Sequence, residues 1–360
     1  MINLHDVETA AAARLTRPAY DYYRGGARDE RALRRNCRAY EEYVLHYRVL
    51  AGIEKVDLST RVLGHPVSMP LAAAPTAFHC MAHPQGEVAS ARALGSLDAL
   101  FILSTLSNKP MEEVVAASPA PVFFQLYVYK DRGVTRQLVQ RAEAAGARAL
   151  VVTVDLPVHG GRERDLRNRF TLPQGLTLAN VQGDSRSSLG DGGLVDYVGA
   201  QLDPTFSWKD LAWLQQQTRL PVVVKGVVRP DDARRAADQG VAAVVVSNHG
   251  GRQLDQSPAT LHCVAPIREA LPESVEVWMD GGIRRGGDVL TALCLGAQLV
   301  LVGRPLLWGL AAAGEQGVTD VFQQLRHELE EAMHLVGCAN LADIDRSLVE
   351  RVGPLCDCPA

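Results

Sequence analysis

The chain has 360 residues, past the length at which one ordinary domain is expected, which leaves two domains or one large barrel or sandwich. Hydrophobic residues make up 47% and charged residues 22%, and 37 basic side chains face 41 acidic ones for a net charge of -4, which excludes the basic excess of a nucleic-acid binder. No apolar run approaches the ~18 residues of a membrane span. Residues 1–17 carry His5, Asp6 and Glu8 where a signal peptide needs a basic and then an apolar stretch, and seven scattered cysteines read as reduced thiols of a cytoplasmic protein.

Residues 1–70 come first and contain an amphipathic stretch from Asp29 to Tyr40, so they are expected to form a helical extension packed on the remainder of the chain. From Leu71 onward short apolar runs recur: Leu71 to Pro75, Leu100 to Ser104, Val122 to Leu126, Leu150 to Val154, Val222 to Lys225, Val244 to Ser247, Glu276 to Asp280 and Leu299 to Gly303. Continuous aliphatic runs of this length are what strands buried on both faces look like. Four of them follow an alanine-rich helical stretch closed by glycine, at Gly95, Gly146, Gly240 and Gly296, where glycine supplies a left-handed cap. Eight parallel strand candidates alternating with helices predict a (β/α)8 TIM barrel over 71–310, a C-terminal helix and tail over 311–360, and a single domain over 1–360. The longest interval between strands runs from Leu156 to Pro221. Its 156–206 portion includes the Gly/Ser-rich Gly183 to Gly193 and is expected to be a structureless lid, the βα4 loop, over the C-terminal face. Ser207 is placed to cap a helix over Trp208 to Gln217, with Trp208 and Trp213 as packing anchors.

In such a barrel the active site is built where the strands end. The third run ends Gln125-Leu126-Tyr127, the fourth Thr153-Val154-Asp155 and the fifth in Lys225, and the sixth enters Ser247-Asn248-His249-Gly250-Gly251-Arg252. One titratable residue closing an aliphatic run is more often a satisfied structural group, but four on successive strands favour a ligand. The seventh and eighth runs lead into Asp280-Gly281-Gly282-Ile283-Arg284 and Gly303-Arg304-Pro305. Glycine N–H groups, a helix N-terminus and arginine together suit a phosphate. Gly-Gly before Arg is also an ordinary βα turn, and its counterpart on the neighbouring strand is what favours the phosphate. His79-Cys80-x-x-His83 lacks a fourth metal ligand at standard spacing, and Cys356-x-Cys358 lies in a terminal tail, so no metal is expected.

Tyr20-Asp-Tyr-Tyr23, Ala74-Pro-Thr-Ala77, Phe124-Gln-Leu-Tyr127, Thr153-Val-Asp155, Lys225-Gly226, Ser247-Asn-His-Gly-Gly-Arg-Gln-Leu-Asp255 and Asp280-Gly-Gly-Ile-Arg284 follow one another in this order. From about Tyr20 to Cys338 the chain thereby resembles the FMN-dependent α-hydroxy acid oxidase and dehydrogenase family, those of glycolate oxidase type in particular. The resemblance implies FMN as cofactor, oxidation of an (S)-2-hydroxy acid to the 2-oxo acid, O2 as acceptor giving hydrogen peroxide, and a homotetramer or octamer. Such chemistry needs a base, a cationic clamp for the carboxylate and a two-electron acceptor. The resemblance implies His249 as the base, Asp155 as the stabiliser of its imidazolium, Arg252 and Tyr22 on the substrate carboxylate, and Tyr127 on a substrate oxygen. Arg162 offers a second guanidinium from the lid. Lys225 is implied beside the flavin N1 and C2 carbonyl, where fixed positive charge favours the anionic reduced ring. Ala77, Ser104, Gln125, Thr153 and Ser247 are implied around the isoalloxazine ring, and Gly282, Arg284, Gly303 and Arg304 at the phosphate, with Asp280 in the same cofactor set.

The sequence also departs from its look-alikes. Relatives acting on the smallest acids carry Trp where this chain has Leu106, so a wider pocket favouring medium-chain or aryl acids over glycolate is expected. The family's paired arginines are reduced to Gly161-Arg162, which predicts a weaker local positive field. Ala77, the polar lid and the lack of a haem-type segment before the barrel favour a soluble oxidase. The alternatives are another FMN barrel enzyme (a dehydrogenase with a different acceptor, a decarboxylating monooxygenase or an isomerase) and a non-catalytic flavin binder, which would be expected to lose His249, Arg252 or Tyr127.

Overall fold

The computed structural model describes residues 1–181 and 193–353. All eight apolar runs form strands: Leu71–Ala73, Leu100–Leu103, Val122–Leu126, Leu150–Thr153, Val222–Val227, Ala243–Val246, Glu276–Asp280 and Leu299–Val302. Each pairs in parallel with the next, and the last returns to the first with Val300 opposite Leu71, which closes a (β/α)8 TIM barrel. The aliphatic runs are continuous because each strand is buried twice, against the barrel interior and under the helices. Alternate residues fill the interior: Ile102, Val151, Val223, Val245 and Leu301 pack there around Phe123 and Trp278, whose rings stack 6.0 Å apart. A hairpin of Thr60–Val62 and His65–Val67 adds Val62 and Val67 to this cluster, and the Leu63 amide donates to Glu276 at the start of the seventh strand. The hairpin therefore covers the N-terminal end of the barrel, and the opposite end carries the site.

Gly146, Gly240 and Gly296 cap their helices with φ of 93°, 75° and 102°. Gly95 does not. It lies inside the helix Gly86–Ser96, where a Cβ would come within 2.5 Å of Pro119, and Asp98 takes the left-handed conformation instead. The predicted helix at Asp29 to Tyr40 is found as Arg31–Arg38 with a 3-10 turn at Ala39–Glu42, preceded by helices Leu4–Arg14 and Arg17–Arg24. The strand Tyr43–Leu45 pairs antiparallel with Val349–Arg351, joining the extension to the C-terminal segment. Between the eighth strand and that segment a helical run spans Arg304–Val336, broken by non-helical backbone at Ala313 and Gly314, so the barrel's last helix continues past position 310.

The interval 156–206 is not structureless: it holds helices Glu163–Arg167 and Gly193–Gln201. Most of the Gly/Ser-rich stretch, residues 182–192, and the Cys356-x-Cys358 tail lie outside the described residues. The helix after Ser207 runs Trp208–Gln215, and the Asp210 carboxylate accepts from the Ser207 amide and hydroxyl at 2.9 and 2.6 Å. Trp213 packs under the Arg132 guanidinium, 5.1 Å from its ring centre. Among the described residues no helix is long and apolar enough to cross a membrane.

Candidate active site

At the C-terminal ends of the strands lies a cleft of about 1030 Å3. Tyr22, Ala77, Ser104, Leu106, Tyr127, Arg162, Lys225, His249, Arg252, Asp280, Gly282, Arg284, Gly303 and Arg304 all line it. The remaining predicted residues support that lining from behind. Gln125 accepts from the Ser104 hydroxyl at 3.2 Å and the Thr105 amide at 3.1 Å, and donates to the Thr153 hydroxyl at 3.0 Å. The Ser247 hydroxyl accepts from Lys225 at 2.8 Å and from the His249 amide at 3.0 Å. Asp155 Oδ1 lies 2.9 Å from His249 Nδ1.

His249 has φ of 59°, the left-handed region that a non-glycine side chain enters at a cost, and Gly250 and Gly251 follow with φ of 63° and 74°. The turn is held from outside the barrel. Asn248 accepts from the Gly251 amide at 2.9 Å, and its side-chain amide pairs reciprocally with that of Asn36, both bonds 2.8 Å long. Burial pushes the His249 imidazole below its usual pKa despite the upward pull of Asp155. Burial acts to raise the Asp155 carboxyl, but its pairing with His249 and then the charge of Lys225 outweigh it and hold the group below the usual carboxylate range. A neutral imidazole beside an ionised carboxylate results, with Nδ1 engaged and Nε2 available. Gly226, φ 113°, makes the fifth strand's approach possible, since a Cβ there would lie 2.6 Å from the Asp155 side chain.

Lys225 forms an ion pair with Asp280 at 2.8 Å. Burial alone would lower its pKa, and Asp280 and Asp155 reverse the sign, so the ammonium stays charged. The guanidiniums find no such partner: among the described residues no carboxylate lies within ion-pair distance of Arg162, Arg252, Arg284 or Arg304. Arg304 donates to the carbonyls of Tyr23, Arg24, Gly25 and Gly250. Arg252 donates to those of Tyr22 and Gly25 and lies over the Tyr22 ring at 4.8 Å. Arg284 donates to the Ile283 carbonyl and lies over Trp308 at 4.8 Å. Arg162 Nε is buried without a partner. Burial, then the neighbouring guanidiniums, depress Arg304 to about 9 and Arg162 to about 10. Carbonyls are neutral, and the buried Asp165 carboxylate, which interacts with Arg162 and Arg252, offsets only part of this charge, so the cleft suits an anionic ligand. FMN fits: Arg284 and Arg304, with Gly282 and with Gly303 at the start of the helix Arg304–Val336, could take its phosphate, and the rest of the cleft could take its ring. Arg162 and Arg252, in the same cleft as His249, could take a carboxylate.

Tyr127 is buried, and burial with the Asp155 charge raises its phenol, which stays a proton donor. Burial likewise raises Tyr22, stacked on Phe170 at 4.5 Å. The field at Gly161 is not simply weakened. The Arg28 guanidinium covers that glycine, where a Cβ would fall 2.3 Å from Cζ, so the extension brings a cation to the position. The His79 ring bonds Thr76 at 2.7 Å and Ser90 at 3.0 Å, and the described residues contain no metal-type cluster. Sequence reasoning missed His159, Leu156, Leu194 and Val198, which line the cleft, and Asn36 behind it. Only Leu194 and Val198, spaced by four as on one helix face, carried a readable signal.

A sequence model of the family described as FMN-dependent dehydrogenase matches residues 11–351. The chain is similar to an L-lactate oxidase of Nostoc sp., 49% identical over 97% of this chain and 98% of the relative. It is also similar to 2-hydroxyacid oxidase 1 of Mus musculus, 45% identical over 98% and 97%. A crystal structure of mandelate oxidase with (S)-4-hydroxymandelic acid superposes with a TM-score of 0.93 at 38% identity, covering 98% of this chain and 99% of that one. The chain belongs to the FMN-dependent dehydrogenase family, and its cofactor is FMN.

Proposed function

We propose that the chain oxidises (S)-2-hydroxy acids to 2-oxo acids with O2 as acceptor, favouring medium-chain or aryl side chains over glycolate. The observation that carries this reading is the neutral His249, held by Asp155 at 2.9 Å, in one cleft with the Arg252 and Arg162 guanidiniums. The substrate carboxylate binds Arg252, with Tyr22 and Arg162 beside it, and Tyr127 donates to a substrate oxygen. His249 accepts the proton, and Asp155 stabilises the imidazolium that forms. The substrate gives up two electrons and two protons in becoming the oxo acid. Bound FMN would supply the two-electron acceptor, and O2 would take up the two electrons with two protons as hydrogen peroxide. Lys225 adds fixed positive charge to the cofactor site, and Ala77, Ser104, Gln125, Thr153, Ser247 and Asp280 hold the ring.

The names of the relatives, lactate and 2-hydroxyacid oxidases, support the acceptor. Leu106, Leu156, Leu194 and Val198 give the cleft an aliphatic wall, which supports the substrate preference. Anaerobic bleaching of the bound FMN by glycolate, lactate, 2-hydroxyoctanoate and mandelate tests it, followed by oxygen uptake with assay of oxo acid and peroxide. Faster bleaching by the larger acids and one peroxide per oxo acid are expected. No bleaching, or a product that has lost carbon dioxide, overturns the reaction; oxo acid without peroxide overturns the acceptor.

A further inference from the structure

The two guanidiniums that face a substrate carboxylate are held by different parts of the chain. Arg252 donates to the carbonyls of Tyr22 and Gly25 in the N-terminal extension. Arg162, whose Nε is buried without a partner, stands at the N-cap of the helix Glu163–Arg167. A helix of five residues does not hold itself in water, so contacts with other elements must fix it. They come from the extension. Arg164 and Asn168, one turn apart, both reach the buried Asp21: the guanidinium donates to its Oδ1 at 3.1 Å and the Asn168 amide to its Oδ2 at 2.9 Å. Arg164 also donates twice to Glu30, at 2.6 and 3.1 Å, and Phe170, just beyond the helix, stacks on Tyr22 at 4.5 Å. The two acid side chains are only 5% and 14% exposed, so solvent screens these pairs far less than it screens surface ones. Burial acts to raise Glu30, but the hydrogen bond from Arg164 and then that from the Gly26 amide outweigh it and hold the carboxyl below its usual range. Residues 21–30 thus grip Arg164 on one side and Arg252 on the other. The spacing between Arg162 and Arg252 is set through them.

We propose that Arg164 is a positioning residue for the substrate carboxylate: by docking the helix Glu163–Arg167 on Asp21 and Glu30 it sets where Arg162 stands relative to Arg252. This rests on the 2-hydroxy acid reading above. Arg164 lies outside the cleft lining and acts through Arg162. A carboxylate contact is made equally in the substrate and the transition state, so losing its alignment raises KM and spares kcat. The test measures KM and kcat for anaerobic FMN reduction by (S)-mandelate and (S)-2-hydroxyoctanoate, and the Kd of the corresponding 2-oxo acids from perturbation of the flavin spectrum. Arg164→Leu, with FMN retained, should raise KM and the oxo acid Kd by roughly tenfold, as one lost charge-assisted hydrogen bond allows, with kcat within about twofold. Arg164→Lys, which keeps the charge but not the fork, should lie between the two. In an Arg162→Met background, itself weakened in Kd, Arg164→Leu should add less than about twofold, because the group it positions is gone. Should Arg164→Leu not retain FMN, Glu30→Gln, which leaves the Asp21 contacts intact, carries the same expectations. A Kd unchanged in Arg164→Leu, a Kd unmoved by Arg162→Met, or losses that multiply in the double variant overturn the proposal, while reduction of the FMN by these acids leaves the hydroxy acid reading in place. If no acid reduces the FMN and no oxo acid binds, that reading falls and takes this one with it.

Discussion

At the scale of single residues, protonation decides activity. His249 can accept a proton only while neutral, and burial holds its pKa below the ordinary value of about 6.5. Activity is therefore present above that pKa and lost as the pH falls through it, so the acid limb of kcat/KM for FMN reduction should lie below about 6.5; a limb well above that value would remove His249 from the base role. Replacing His249 with Gln should keep FMN bound and slow its reduction by at least about 100-fold, roughly 3 kcal/mol of barrier. Leu106, 4% exposed in the cleft wall, governs size. Leu106→Trp should cost mandelate and 2-hydroxyoctanoate more than glycolate, within the roughly 1 to 3 kcal/mol that apolar pockets can discriminate, and equal losses on all substrates would refute the assignment. His249, Asp155, Lys225 and Arg252 were legible because each is a titratable group closing or following an aliphatic run. His159 and Arg28 were not, since nothing periodic surrounds them and their surroundings come from remote segments of the chain.

Among elements, the eight strands were legible for one physical reason: burial on both faces forbids polar residues along them. The lid helices were harder, being short and partly exposed. The support given by the extension to the catalytic turn was invisible, because Asn36 and Asn248 meet across 212 residues of chain. That pair yields an element-scale prediction. Truncating Asn36 to Ala removes two buried hydrogen bonds from the Asn248 amide, which keeps those to Gly251 and Pro258, at roughly 0.5 to 1.5 kcal/mol each and so about 1 to 3 kcal/mol in all. With roughly 2.1 cal/mol/K of unfolding entropy per residue, the melting temperature should fall by roughly 1 to 4 °C. The strained His249 should also lose its fixed orientation, lowering kcat for FMN reduction while the Kd for FMN stays within about twofold. An unchanged kcat would confine Asn36 to a structural role, and a matching loss of FMN would show that the whole turn had collapsed.

Across the whole molecule the net charge is -4, yet the cleft concentrates guanidiniums whose hydrogen bonds go to carbonyls. Arg304 and Arg162 are held near 9 and 10, below the ordinary arginine value, by burial first and then by one another's neighbours. A cation with a depressed folded-state pKa is charged in both folded and unfolded chains at neutral pH, so the folded chain carries the full cost of burying it until an anion arrives. Stability and ligand occupancy are thereby linked. Stripping FMN should lower the melting temperature, and restoring it at about one hundred times its Kd should return roughly 2.7 kcal/mol, or about 3 to 4 °C for a chain of this length. Inorganic phosphate at millimolar concentration should return part of that shift, and riboflavin, which lacks the phosphate, should return less than FMN at equal concentration. Arg284 donates only to the Ile283 carbonyl and rests on Trp308, so it can be removed with little damage to the framework. Arg284→Met should abolish the phosphate response and leave the riboflavin response intact; a phosphate shift that survives this substitution would place the phosphate site elsewhere in the barrel.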